Sequence, residues 1–346
     1  MGIGALVRLG LVIATIALAA CRPPVPLERD LLLTTATPGG TYYPVGVAMA
    51  TLFTRELVGE PEVLVSAITS SGSAENIRML ETGEAQLAIV QALFGSMAWQ
   101  GTGMYDGNAV RNLRSLCMLW ENVEHVIALR RYAPSGDLRD LEGWTGRSFS
   151  LGPRWSGTEV SARTILTTLG IDPDTVFRVA HLGYGPSADA LQNRRISGMF
   201  LAGGVPTAAV SQAFAGMGAD EIALLEISDA DLERLRAEYP IWRRYVIPEE
   251  TYTGQAEPVR TLAQPNVLIG VAELDDDVVY RLLSALWENL EFLQRQHAAA
   301  KEMDRSRALA GLPVPLHPGA VRYYRDAGID IPRELLPPEL REGGER

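Results

Sequence analysis

The stretch Leu31-Leu32-Leu33-Thr34-Thr35-Ala36-Thr37-Pro38-Gly39-Gly40-Thr41-Tyr42-Tyr43 decides how the rest of the chain is read. Residues 31–35 form a short apolar run of strand length. Pro38-Gly39-Gly40-Thr41 ends it, and Val45, Met49, Leu52 and Phe53 follow at helical spacing. The same order returns downstream. An apolar run at 62–68 leads into Thr69-Ser70-Ser71-Gly72-Ser73, and Ile77 and Leu80 then mark a helix. A third run, 86–90, precedes Gln91. In the middle of the chain, 148–151 leads into Gly152-Pro153-Arg154-Trp155-Ser156-Gly157-Thr158-Glu159 and a helix through Leu169. A strand at 177–182 precedes a helix at 187–194, and a strand at 198–201 ends near Gly203-Gly204. Strand, polar turn and helix in alternation predict an α/β fold with mainly parallel sheets.

Further strand-like runs lie at 113–120, 222–227 and 267–271. Val279, Leu282, Leu283, Leu286, Leu290 and Leu293 share one helix face. No Gly/Ser linker divides the two α/β regions. They are therefore expected to be lobes joined by strand crossings, near 121–127 and 249–262.

With 346 residues, the chain is long enough for two ordinary domains. Hydrophobic residues at 47% and charged residues at 21% exclude a mainly disordered chain. Acidic residues outnumber Lys and Arg by 42 to 31, giving a net charge of −11. Such a chain lacks the basic stripe that nucleic acid requires. Two cysteines cannot make a disulfide framework, and His125, His181, His297 and His317 are scattered without metal-ligand spacing.

Residues 1–20 read as an address. Arg8 is followed by an apolar run to Ala20, too short for the about 20 helical residues that cross a bilayer. This fits a secretory signal peptide. The run ends Leu18-Ala19-Ala20-Cys21, which resembles the bacterial lipobox; Cys21 would then carry acyl chains and anchor the protein at a membrane surface. An ordinary secretory signal with an incidental Cys21 is the other reading. Arg22-Pro23-Pro24 and Pro26 suit an exposed tether. Cys117, inside an apolar strand, is expected to be an inert buried thiol.

Three strand-to-helix turns carry the functional signal: Gly39-Gly40-Thr41-Tyr42, Ser70-Ser71-Gly72-Ser73 and Ser156-Gly157-Thr158. Ligands of parallel α/β sheets bind at the carboxyl ends of strands. There the first N–H groups of each helix point outward, unpaired and partly positive. Such a turn suits a carboxylate or phosphate even without an Arg. Ser and Thr are equally favoured as plain helix caps, so a single turn means little, and three split between two lobes mean more. Gln91 can add a side-chain amide or be a solvated strand end. Arg154 can pair with a carboxylate or be a surface charge. Asp275-Asp276-Asp277 reads as negative charge at a helix start.

Enzyme signatures fail. Gly183-Tyr184-Gly185-Pro186-Ser187-Ala188 fits a loose G-x-G-x-x-A but lacks the acidic residue expected about 20 positions on. No phosphate loop or nucleophile elbow is present. The chain is expected not to be an enzyme and to hold no cofactor or metal.

Gly39-Gly40-Thr41-Tyr42-Tyr43-Pro44, Ser71-Gly72-Ser73-Ala74-Glu75-Asn76 and Gly83-Glu84-Ala85-Gln86-Leu87-Ala88-Ile89-Val90-Gln91 together resemble the TAXI family, the extracytoplasmic solute receptors of TRAP-type transporters. Ser156-Gly157-Thr158-Glu159 and the 311–320 segment fit the same pattern, in order, from about 31 to 328. The resemblance implies a two-lobed periplasmic-binding-protein fold, type II-like, with hinge strands. It divides the chain into a signal peptide (1–20), a lipidated tether (21–29), lobe 1 (30–123 with 256–330), lobe 2 (124–255) and a tail (331–346). It implies a periplasmic, membrane-anchored monomer that binds a small organic anion, such as 2-oxoglutarate or glutamate, and delivers it to TRAP-type permease subunits. A ligand sensor for a signalling partner is the alternative. The implied binding positions are Gly40, Thr41, Tyr42, Ser71, Ser73, Gln91, Ser156, Gly157 and Thr158, with Arg154 and Trp155 beside them. Where the family often has an acidic residue two after the Gln, this chain has Leu93, which favours a ligand without an amine. Where it often has Gly before Ser-Gly-Thr, this chain has Trp155, which would narrow the cleft or stack on the ligand.

Overall fold

The computed structural model describes residues 30–58 and 63–341. The signal peptide and the tether with Cys21 fall outside the described residues. Strands β1 (Asp30–Thr34), β2 (Leu64–Ile68) and β3 (Leu87–Gln91) pair in parallel, in the order β2-β1-β3. Each feeds one helix: α1 (Tyr42–Glu56), α2 (Ser73–Glu81) and α3 (Ala92–Gln100). The long strand β4 (Leu113–Leu129) follows.

The second lobe repeats the scheme. Strand β5 (Arg147–Ser150) lies between β6 (Phe177–Ala180) and β7 (Gly198–Gly203), again in parallel. Helix α4 (Gly157–Thr168) follows β5, and the single turn α5 (Pro173–Val176) leads into β6. Helices α6 (Tyr184–Gln192) and α7 (Ala208–Met217) follow β6 and β7. Strand β8 (Ile222–Leu224), helix α8 (Asp229–Glu238), strand β9 (Arg243–Ile247) and the long β10 (Val259–Val271) complete the sheets.

Both faces of each sheet are covered, which explains why β3 reads as a continuous apolar run. Leu87 and Ile89 pack with α1 residues such as Val45 and Met49. Ala88 and Val90 face the other way, with Ile77 of α2 and Phe94 of α3. In lobe 2, Phe149 and Phe200 join the α4 side, and Met199 and Leu201 the α6–α7 side.

Strands β4 and β10 run through both lobes. The start of β4 pairs with the end of β10, Leu113 opposite Val271. The end of β4 pairs instead with β7 and β8, all antiparallel. The start of β10 pairs with β9. The sheet is therefore mixed: parallel in its outer strands, antiparallel along the two crossing strands. Register slips between Pro265 and Val267, where proline has no N–H to give the ladder. This is a two-lobed α/β fold of the periplasmic-binding-protein kind. At its waist β4 carries Glu121, Asn122, Glu124 and His125, all buried.

After the last strand the chain returns to lobe 1. Helix α9 (Asp276–Glu288) starts on Asp275, whose carboxylate accepts N–H bonds from Asp277 at 2.8 Å and Val278 at 3.1 Å. Val279, Leu282 and Leu286 of α9 share a core with α1. The segment read from the sequence as a tail lies against this lobe as far as 341. Leu316 donates its N–H to Leu335 at 2.8 Å, and Arg114 pairs with Glu339 at 3.3 Å. Cys117 is a free buried thiol, and burial pushes its pKa up.

Candidate functional site

Five helices begin at one place. Thr41 and Tyr42 at the start of α1, Gly72 and Ser73 at α2, Gln91 at α3, Gly157 and Thr158 at α4, and Tyr184 at α6 line a single pocket. Ala36, Thr37, Gly40, Ser71 and Ala202 complete it. The cause is topological: in each lobe the parallel strands end on the same side, so the helices they feed start there. The N-caps of α1, α2, α3 and α6 make no side-chain capping bond. The leading N–H groups of α1, α2 and α6 thus lack a cap acceptor, whereas in α3 the Leu93 N–H donates to Gln264 Oε1 at 3.0 Å. Only α4 is capped, by Ser156, whose Oγ accepts the Glu159 N–H at 3.1 Å.

The two lobes touch across this pocket. The Thr41 hydroxyl accepts the N–H of Gly204 at 3.0 Å. A Cβ on Gly40 would sit 3.1 Å from the Tyr184 ring, and one on Gly157 would sit 2.8 Å from Ser73 Oγ and 2.9 Å from Gln91 Cδ. Glycine at these corners is what lets the lobes close.

Side-chain bonds fix the walls. Tyr42 donates its hydroxyl to Asn266 Oδ1. Tyr184 donates to the Ala202 carbonyl at 2.5 Å, and its oxygen lies 2.5 Å from Thr158 Oγ1. Burial pushes the Tyr184 phenol up to about 12, so it stays a neutral donor. Ser73 Oγ accepts the N–H of Gln91 at 3.0 Å. The Ser71 hydroxyl is engaged by Glu75 Oε2 at 2.6 Å. Gln91 is buried, and its Oε1 has no hydrogen-bond partner, an unsatisfied atom that calls for explanation.

No lining residue carries a charged side chain. Arg154 and Trp155 are not among the lining residues. Both point outward; Trp155 is 67% exposed, at φ +61°, with its N–H held by Glu159 Oε2 at 2.7 Å. Ser156 is buried just behind the pocket wall. Behind the opposite wall stands Glu124, fully buried, across the strand ladder from Ala202. Burial pushes its carboxyl up to about 8, against the lowering effect of bonds from Ser161 and Gln264.

Eight of the positions singled out in the sequence come together here: Gly40, Thr41, Tyr42, Ser71, Ser73, Gln91, Gly157 and Thr158. Tyr184 was not among them, although it follows the same strand–turn–helix order; the loose nucleotide-like glycine pattern drew attention from the tyrosine inside it. Thr37 and Ala202 carried no signal, because only the lobe contact brings them to the pocket. The assembled side chains are neutral: Tyr42, Tyr184 and Ser71 already donate to Asn266, Ala202 and Glu75, and the unpartnered Gln91 atom is an acceptor, so donors to a ligand here come from backbone N–H groups at helix starts. Among the described residues no cluster of His, Cys, Asp and Glu could hold a metal ion, and no helix is long and apolar enough to cross a membrane.

The model of the NMT1-like family matches residues 33–328. The chain belongs to the NMT1-like family. Within solved structures, this NMT1-like chain resembles a protein of Bordetella bronchiseptica RB50 with a TM-score of 0.52 at 14% identity, covering 90% of this chain and 86% of that one. It resembles a chloride-bound protein of Xanthomonas citri with a TM-score of 0.51 at 12% identity, over 87% and 100%. A zinc-bound ligand-binding component of an ABC-type import system from Staphylococcus aureus matches at 0.49 and 11%, over 92% and 100%. At these identities the first two likenesses establish a shared fold.

Proposed function

We propose that this NMT1-like chain is an extracytoplasmic solute receptor of the TAXI type. It would capture a small organic anion, such as 2-oxoglutarate or glutamate, and present it to TRAP-type permease subunits. The single observation that carries the reading is the convergence of five helix starts, three from one lobe and two from the other, on a pocket lined without a charged side chain. Uncapped N–H groups hold a carboxylate by charge-assisted hydrogen bonds. The unpartnered Gln91 Oε1 can only accept, so it offers a contact to an O–H or N–H of the ligand rather than to its carboxylate. Ligand contacts are assigned to Gly40, Thr41, Tyr42, Ser71, Ser73, Gln91, Gly157 and Thr158, joined by Tyr184. Arg154 and Trp155 stay on the rim.

In this reading, lobe 1 (30–123 with 256–330) and lobe 2 (124–255) close on the anion by a hinge at β4 and β10. Acylated Cys21 tethers the mature monomer at the membrane surface in the periplasm. The chemistry asked of the site is binding alone. Titration calorimetry of the chain from Arg22 onward, against 2-oxoglutarate, L-glutamate and other organic acids, tests the proposal. Saturable binding of one acid is expected; no saturable heat from any acid would overturn it.

A further inference from the structure

A chain of hydrogen bonds ties the two lobes together beneath the pocket. In lobe 1, the Leu93 N–H, in the first turn of α3, donates to Gln264 Oε1 at 3.0 Å. The Gln264 amide lies 3.5 Å from Glu124 Oε1, a long contact. In lobe 2, Ser161 of α4 donates to the same Glu124 oxygen at 2.5 Å. Gln264 and Glu124 sit on the two crossing strands, so the chain passes through the hinge itself. Thr261 Oγ1 also pins the Glu124 carbonyl, at 2.6 Å.

Glu124 differs from its neighbour on β4. Glu121 is met by Arg307 at 2.7 Å and Arg243 at 3.4 Å. No cation meets Glu124 among the described residues, and its Oε2 has no partner. The groups facing it are neutral: Tyr42 from α1, Tyr184 from α6, Ser161 from α4, Gln264 from β10 and Ala202 from β7. Both phenols are held up by burial and stay neutral through the alkaline range. His125 bonds away from this cluster, to Tyr252 at 2.8 Å. The charged groups on α4 beside Ser161, Glu159 and Arg163, are paired with each other at 3.1 Å.

We propose that Glu124 is a positioning residue that must carry its proton for the lobes to close. An ionised carboxylate without a cation is too costly to keep dry. Opening the cleft lets water reach the waist and solvates the charge. A bound anion in the pocket adds like-charge repulsion, so anion capture and the Glu124 proton are coupled. The coupling to the ligand rests on the anion reading above; the closure itself does not.

The test uses the chain from Arg22 onward with spin labels at Thr51→Cys and Arg234→Cys, and lobe distance measured by electron–electron resonance at pH 6.5 and 9.5. Wild-type Glu124 is expected to give a larger open fraction at pH 9.5, and Glu124→Gln, which mimics the neutral acid, the same distribution at both pH values. Adding 2-oxoglutarate or L-glutamate should close the wild type more readily at the lower pH. In calorimetry, affinity should fall by up to about tenfold per pH unit between the ordinary carboxyl range and about 8, where only the open form has lost the Glu124 proton, and stay flat in Glu124→Gln. Distances that ignore pH in the wild type, or that shift equally in Glu124→Gln, overturn the proposal. A pH shift that neither acid modifies keeps the proton-gated closure and removes the anion reading instead.

Discussion

Thr41 of lobe 1 and Gly204 of lobe 2 meet across the cleft: the threonine hydroxyl accepts the glycine N–H at 3.0 Å, with the Gly204 carbonyl 3.3 Å away. Thr41 is therefore both a helix start facing the pocket and a latch between lobes. Replacing it with Val keeps its shape and removes both bonds. Thr41→Val should weaken binding of the captured acid by about 1–3 kcal/mol, since a buried N–H loses its partner. Calorimetry on the chain from Arg22 onward measures this.

Gly157 meets Ser73 and Gln91 from the opposite lobe. Gly157→Ala would place a methyl group 2.8 Å from Ser73 Oγ. The expected outcome is incomplete closure, with affinity reduced by about 1–3 kcal/mol from overpacking. Thermal unfolding of the ligand-free chain should change far less, because an open cleft relieves the clash. A large loss of ligand-free stability would place the clash within one lobe rather than between them.

Trp155 holds a left-handed backbone conformation with its ring in solvent. Such a conformation costs a side-chain-bearing residue roughly 1–3 kcal/mol and glycine almost nothing. Trp155→Gly should leave the melting temperature equal or higher, and ligand affinity within about 0.5 kcal/mol of wild type, as for most surface changes. Lost affinity in this variant would restore the stacking role that the sequence alone suggested for the ring.

His125 is buried with Nδ1–H donating to the Val123 carbonyl at 2.9 Å. Burial lowers its pKa to about 4, partly offset by backbone bonds. The unfolded chain, with an ordinary histidine near 6.5, binds the proton more tightly. Stability from this group is therefore full above about pH 6.5 and is lost as pH falls towards 4. Glu124 acts with the opposite sign: its folded pKa lies above the ordinary 4.5, so its contribution declines as pH rises from about 4.5 to 8. His125→Asn should be less stable than wild type at pH 7, and the gap should narrow towards pH 4 in urea titrations.

Cys117 should resist maleimide in the folded chain and react promptly in guanidinium chloride. Its sulfur lies in the β4 core and burial holds the thiol protonated. Labelling of the native chain would show that the lobe 1 sheet opens locally.

Much of this architecture was legible in the residues. The turns at Gly40, Ser73 and Gly157 announced themselves because a strand end, a small or hydroxyl residue and a helix start are all local features. The crossing strands were only half visible. In β4 the apolar run stops at Trp120, yet the strand continues through Glu121-Asn122-Val123-Glu124-His125 to Leu129. A strand crossing was expected near 121–127, but the burial of its polar side chains was not legible, because it depends on partners distant in sequence: Arg307, Gln264, Ser161 and Tyr252. Tyr184 was missed for a related reason. Its partners Ala202 and Gly40 lie 18 and 144 positions away, so no local pattern marks it.

By itself, the sequence determined the alternation of strand and helix, and with it the set of helix starts that end up on one side of each sheet, since hydrophobic period and turn chemistry act over a few residues. Only the tertiary structure decided that the starts from both lobes meet, that Trp155 turns outward, and that an acid without a counter-charge lies under the hinge. Those facts arise from contacts between distant segments, where packing and desolvation outweigh local preference.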